Sequence, residues 1–146
     1  MKILFRKAIK KDYLRIAEIY TNEFSKTPYN EDWTKKKALK KINIFSNYCD
    51  IYVSVVDRKV VGFFIANTNF WNLGEFVFGE EMAIDENYQN KGIGKAFLSW
   101  IEKRYSKKGF KKFIFLSFKD SSAYKMYKKW GYEESKSNIL FERNLK

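Results

Sequence analysis

The chain has 146 residues, a formal net charge of +12, one cysteine, one proline and no histidine. Its length predicts a single domain over residues 1–146 that can bury a core without covalent staples. Without histidine there is no Ser-His-Asp triad, Cys-His dyad, His-ligated metal or His base, so proton transfer falls to Glu, Asp, Tyr, Lys or water. Lone Cys49 offers neither an intrachain disulfide nor a CxxC metal pair, and no metal is expected. Only Arg6, Arg15, Arg58, Arg104 and Arg143 among the 29 basic residues are arginines, the type favoured for base edges and phosphate clamps. The surplus charge therefore reads first as solvated lysine surface. No run of about 18 apolar residues exists, and Ile3, Leu4 and Phe5 are too few for a signal-peptide core. A soluble, cytoplasmic protein is expected.

In chain order, Ile3 to Arg6 reads as a strand. Asp12 reads as an N-cap before Tyr13, Ile16, Ala17, Tyr20 and Phe24 at helical spacing. Residues 25–33 hold the only proline and read as a loop. A second helix follows, with Ala38, Leu39, Ile42 and Phe45 on one face and lysines 35, 36, 37, 40 and 41 on a wet one. From Asp50 the pattern changes: Ile51 to Val56, Val60 to Ala66 and Phe76 to Ile84 form a predicted meander, turning at Asp57-Arg58-Lys59 and Asn72-Leu73-Gly74. A helix bearing Phe97, Leu98, Ile101 and Tyr105 ends before Gly109. Phe113 to Phe118 reads as a strand buried on both faces. Ser121 or Ser122 caps a short helix stopped by Gly131, and Asn138 to Arg143 reads as a last strand. The predicted class is α/β (α+β): a mixed, mainly antiparallel sheet flanked by helices, with one parallel crossover at the helix that follows Gly92.

The chemistry concentrates in Glu80 to Lys95. Gln89-Asn90-Lys91-Gly92-Ile93-Gly94 lies between a strand end and a helix start, where free N–H groups and the helix dipole favour an anion. A pyrophosphate is the natural guest. A Walker A loop would require Gly where Gln89 stands and Ser or Thr where Ala96 stands. The dinucleotide fingerprint would require Gly at Phe97.

In this segment the sequence resembles the GNAT superfamily of acetyl-CoA-dependent N-acetyltransferases. The family signature, Gln or Arg, two residues, Gly, one residue, then Gly or Ala, appears as Gln89 to Gly94, preceded by Met82-Ala83-Ile84-Asp85. A second block of the family is matched by Asp120, Ala123, Tyr127 and Gly131-Tyr132, with Asp120 standing where Asn is usual. The resemblance covers most of the chain. It implies that acetyl-CoA lies along the backbone of Met82, Ala83 and Ile84, with its pyrophosphate on the N–H groups of Gln89, Asn90, Lys91, Gly92, Ile93, Gly94 and Lys95. Asp120 and Ala123 complete the cofactor set. Asp120 keeps the acceptor of the usual Asn but loses its two donors. Tyr127 matches the tyrosine that protonates the departing thiolate in many members.

The implied reaction is attack of a neutral amine on the thioester, and with no histidine the base falls to Glu81 or Glu80. Glu81, directly before Met82, is favoured, although several members place the acid earlier, where Val77 and Phe78 sit here. Adjacent strand residues face opposite ways, so only one of the two acids is expected to point into the site. The loop with Tyr29, Asn30, Glu31 and Trp33 lies where the family builds its acceptor site, and its wording is similar to that of aminoglycoside 6'-acetyltransferase-like members. The acceptor itself stays open among small amines, aminoglycoside-like compounds and peptide or protein amines. Other readings are a catalytically idle acyl-CoA-binding regulator of the same fold and, further off, a nucleic-acid binder. For the last, Lys108 to Phe115 imitates an RNA-recognition pattern but places lysines where a small residue and a stacking aromatic belong. Cys49, with no partner base, reads as an idle thiol. No membrane partner is expected, and a homodimer, common in the family, is compatible with the sequence.

Overall fold

Strand β1 (Ile3–Lys7) leads through a 3-10 turn into helix α1 (Tyr13–Phe24), and α2 (Lys35–Ser46) follows after a loop. The meander is β2 (Asp50–Val56), β3 (Lys59–Asn67) and β4 (Phe76–Ile84). Helix α3 (Ile93–Lys107) then returns the chain to β5 (Lys112–Phe115). These elements belong to a unit over Met1–Leu116, and a smaller unit begins at Ser117 with helix α4 (Ser122–Lys129). The computed structural model describes residues 1–145.

The sheet order is β1-β2-β3-β4-β5, antiparallel throughout except for the parallel pair β4–β5. This is the predicted mixed sheet, and the α3 crossover supplies the parallel step that a hairpin cannot make. Asp57 and Arg58 both take positive φ (49° and 68°), as a two-residue turn joining right-twisted strands requires. On one sheet face Ile51, Val53, Val55, Phe63, Ile65 and Ala83 bury against Ile16, Ala17, Tyr20, Ala38, Ile42 and Phe45 of α1 and α2. On the other, Phe97 of α3 stacks on Phe5 with ring centroids 5.0 Å apart, and Trp100 packs edge-on against Tyr52. Both faces of β2 and β3 are covered, which explains their nearly continuous apolar sequences. Gly62 is fixed by space: a Cβ there would lie 2.5 Å from both Ile84 Cδ1 and Ser54 Oγ.

Several expectations are corrected. Asp12 does not cap α1; its carboxylate accepts from the Ile9 N–H at 2.8 Å and pairs with Arg6, also at 2.8 Å. Burial opposes ionisation of Asp12, yet the Arg6 guanidinium and the Ile9 N–H hold its pKa below the ordinary value. β5 stops at Phe115 and is only partly buried, because it lies at an edge of the sheet; Leu116 and Phe118 are exposed. Asn138 to Arg143 forms no strand. Its backbone makes no ladder, and Ile139, Leu140 and Phe141 are exposed. No helix among the described residues is long and apolar enough to cross a membrane.

In the smaller unit, Ser121 caps α4 by accepting from the Tyr124 N–H at 3.0 Å. Gly131 (φ 95°) ends the helix, with its N–H on Lys128 O at 3.1 Å and that of Tyr132 on Tyr127 O at 3.0 Å.

Candidate active site

The acids lie on β4, and the register of β4 explains their placement. Ile65 pairs with Glu81 but Ala66 pairs with Gly79, so Glu80 is the extra residue of a β-bulge. A bulge suspends strict alternation. Glu81 and Glu80 accordingly both find partners on neighbouring groups: Glu81 from Lys41 of α2, and Glu80 from Asn67 Nδ2 at 2.8 Å. The two acids engage different groups, and the inserted residue that breaks their alternation is one no periodicity in the sequence announces.

Glu81 is partly enclosed. Its side chain is 20% exposed, and Lys41 Nζ lies 3.4 Å from Oε1. Burial pushes the carboxyl pKa up, opposed by the Lys41 charge and hydrogen bond and by the Tyr20 hydroxyl, and burial prevails. Tyr20 is itself pushed strongly upward, by burial first and then by the Glu81 charge, so it stays a neutral phenol. Glu80 lies nearer Cys49: burial, then the charges of Glu80 and Asp50, raise the thiol pKa to about 12. A thiol so raised is a poor nucleophile at neutral pH, as the idle-thiol reading anticipates.

The loop between α1 and α2 gathers part of the expected acceptor set. Trp33 meets Tyr20 edge-on with centroids 4.7 Å apart, and its indole N–H donates to Glu31 Oε1 at 3.1 Å. Tyr29 packs on Phe24 at 4.9 Å and is raised by burial, then by Glu23, Glu81 and Glu31. Tyr29, Glu31 and Trp33 thus share the surroundings of Glu81. Asn30 does not: it is exposed, turns at φ 50° and bonds to Thr27. Thr34 caps α2 by accepting from the Lys37 N–H.

Beyond the acids, Met82, Ala83 and Ile84 continue β4, but the β5 partner ends at Gly79. Among the described residues no strand pairs with that edge of β4 past Gly79. The following turn is anchored twice. Arg15 donates to Val60 O at 3.1 Å and pairs with Asp85, whose carboxylate also accepts from the Asn87 N–H. Burial opposes the charge on Asp85, but the Asn87 N–H and Arg15 hold its pKa below the usual range. The Gln89 amide donates to Ile84 O at 2.8 Å and to Glu23 Oε2 at 3.0 Å. Its side chain is therefore spent on shaping the loop.

What remains available is backbone. The N–H groups of Ile93, Gly94 and Lys95 are the first three of α3, which a helix leaves without intrahelical partners. Gly92 caps α3 at φ 81°, a conformation that explains glycine there. Lys91 and Lys95 are exposed, Lys91 lying over the Tyr88 ring at 5.6 Å. The remaining expected residues lie in the smaller unit: Asp120 is exposed before α4, Ala123 is in its first turn, and the Tyr127 ring meets Trp130 and Tyr132 edge-on at 5.9 and 6.0 Å.

Sequence reasoning missed Tyr20 and Lys41. Tyr20 reads as one more apolar stripe residue. Lys41 reads as part of a wet lysine face, yet it stands three residues after Ala38 and four before Phe45, both buried, and that spacing was the available signal. No group of three or more His, Cys, Asp or Glu among the described residues could hold a metal ion.

Comparison with known proteins agrees with this architecture. A possible acetyltransferase from Clostridium difficile 630 superposes with a TM-score of 0.82 at 19% identity, covering 100% of both chains. The aminoglycoside acetyltransferase meta-AAC0020 from an uncultured soil metagenomic sample, in complex with sisomicin, gives 0.72 at 18% identity over 99% of this chain and 97% of that one. AAC(6')-Iy in complex with a bisubstrate analogue of CoA and acetylneamine gives 0.75 at 14% identity over 99% and 100%. No curated protein matches in sequence. The family model described as Acetyltransferase (GNAT) domain matches residues 47–134, more than half of the sequence, and the chain belongs to that family.

Proposed function

We propose that residues 1–146 act as one N-acetyltransferase domain that moves the acetyl group of acetyl-CoA to a primary amine by direct attack on the thioester. The observation that carries this reading is the start of α3, whose first-turn N–H groups at Ile93, Gly94 and Lys95 have no intrahelical partners, directly after the open edge of β4. Such donors at a helix N-terminus suit a pyrophosphate, and an unpaired strand edge suits an amide-bearing pantetheine arm. When bound, acetyl-CoA supplies the activated acetyl thioester. Met82, Ala83 and Ile84 present the edge, Gln89 to Lys95 the donors, and Asp120 and Ala123 complete the set.

Glu81 is the base that relieves the acceptor ammonium of its proton, with Glu80 as the second candidate. A carboxyl raised by burial is a better proton acceptor than an ordinary one. Tyr127 carries a phenolic proton suited to the departing thiolate. Tyr29, Glu31 and Trp33 receive the acceptor, and Asn30 shapes their loop. Structural neighbours crystallised with an aminoglycoside and with a CoA–acetylneamine analogue favour a small-molecule amine.

Acetyl-CoA at a hundredfold excess over its dissociation constant is expected to stabilise the native chain by about 2.7 kcal/mol in a thermal-shift titration. Absence of any shift would overturn the reading. Thiol release is then followed over a panel of amines; binding without release by any amine would instead support the idle regulator. Tyr127→Phe is expected to lower kcat by about 10²-fold with little change in acetyl-CoA affinity. Unaltered turnover would remove Tyr127 from this role.

A further inference from the structure

Lys41 is held as a ligand would be. Its Nζ lies 5.2 Å from the Trp33 ring centroid and 5.5 Å from each of the Tyr20 and Phe45 centroids. The same atom is 3.0 Å from the Tyr20 hydroxyl and 3.4 Å from Glu81 Oε1. Three aromatic rings and one carboxylate around one ammonium make a cation box. Glu31 steadies its outer wall through the Trp33 indole N–H. Lysines 35, 36, 37 and 40 of the same helix are exposed, whereas the Lys41 side chain is 33% exposed.

We propose that Lys41 is a built-in occupant of an alkylammonium box formed by Trp33, Tyr20, Phe45 and Glu81, and that a primary alkylamine acceptor binds by displacing it. The inference rests on the reading of Glu81 as the acceptor-side base, and it deepens that reading by naming the class of acceptor. The box already holds a four-carbon chain ending in –NH3+. An incoming alkylammonium replaces each contact that Lys41 gives up, and the released side chain, already partly in water, regains its hydration. The exchange is therefore nearly balanced. Because Lys41 is tethered, it competes at an effective concentration on the order of millimolar. A good acceptor must offset that competition with contacts beyond its ammonium, which selects longer amines over the shortest ones.

The probe is n-butylammonium chloride, with acetyl-CoA left out so that the outcome does not depend on turnover. In the wild-type chain with 13C-lysine, the Lys41 ε-methylene resonance, identified by its loss in Lys41→Arg, should start shifted by the rings and move to the free-lysine position as n-butylammonium saturates. By calorimetry, Lys41→Met should bind n-butylammonium at least tenfold more tightly than wild type, the double variant Lys41→Met/Glu81→Gln should lose that gain, and n-butanol should show none. An unmoved Lys41 resonance at saturation, or equal gain for n-butanol, overturns the proposal. If Lys41→Met does not fold, the wild-type resonance decides alone. Failure here with thiol release intact leaves the acetyltransferase reading standing, while loss of thiol release with the box behaviour intact removes only the catalytic reading.

Discussion

Glu81→Gln is expected to lower kcat by about 10²- to 10⁴-fold, the span that a positioned general base contributes. The substitution keeps the shape and hydrogen-bonding reach of the side chain and removes only its charge. The pH profile makes the prediction more specific. Burial raises the folded pKa of Glu81 above that of an ordinary glutamate, about 4.3, so the acidic limb of kcat/KM should lie above that value and disappear in the variant. The same shift has a stability sign. A carboxyl raised in the folded state stabilises fully below the unfolded pKa, and that contribution is lost as pH rises through the folded value. Above the folded value the ionised Glu81 therefore costs stability, and Glu81→Gln should not lower the melting temperature there. A fall in turnover that merely tracks loss of folded protein would sink the assignment. Full activity in Glu81→Gln, with the loss appearing in Glu80→Gln, would transfer the role to Glu80.

The second large effect concerns stability. Phe97 is fully buried, stacks on Phe5 at 5.0 Å and meets Phe64 and Trp100 at 6.4 Å each. Phe97→Ala removes the ring that docks α3 onto the sheet and should cost about 3–5 kcal/mol, a large part of the 5–15 kcal/mol typical of a whole domain. Urea unfolding should give a lower midpoint with an unchanged slope, and Phe97→Leu should fall between the variant and wild type. Since α3 begins at the N–H groups of residues 93–95, acetyl-CoA affinity should weaken alongside. A loss under about 1 kcal/mol would mean that the ring is not the anchor.

These expectations could be framed because much of the fold is legible in the residues. The meander was readable to within a residue or so at each end, since β-branched and aromatic runs alternate with Asp57-Arg58 and Asn72-Leu73-Gly74, segments that only turns accommodate. The Gln89 to Gly94 loop was readable because two glycines between a strand and a helix leave little else for the backbone to do. The family it suggested is the one the chain belongs to. What the residues hid is relational. FIFLSF from Phe113 to Phe118 has the composition of a central strand, but composition does not say how many partners a strand has, and β5 lies at an edge. Ile139 to Phe141 has strand composition too, without a ladder to join. Lys41 was misread by residue type when its place beside the Ala38, Ile42 and Phe45 stripe mattered more. Asp12, expected as a cap for α1, is committed to Arg6 and the Ile9 N–H, a demand that comes from the end of β1.

The bulge at Glu80 carries a consequence for how this protein can change. Side chains on a strand alternate with period two, and the extra residue is what lets Gly79 and Glu81, two apart in sequence, pair with the adjacent Ala66 and Ile65. Removing Glu80 would leave both pairings and every sheet face of β4 in place, whereas removing a residue elsewhere in the strand would invert the faces on one side of the cut. Position 80 is therefore the place in β4 that tolerates a change in count.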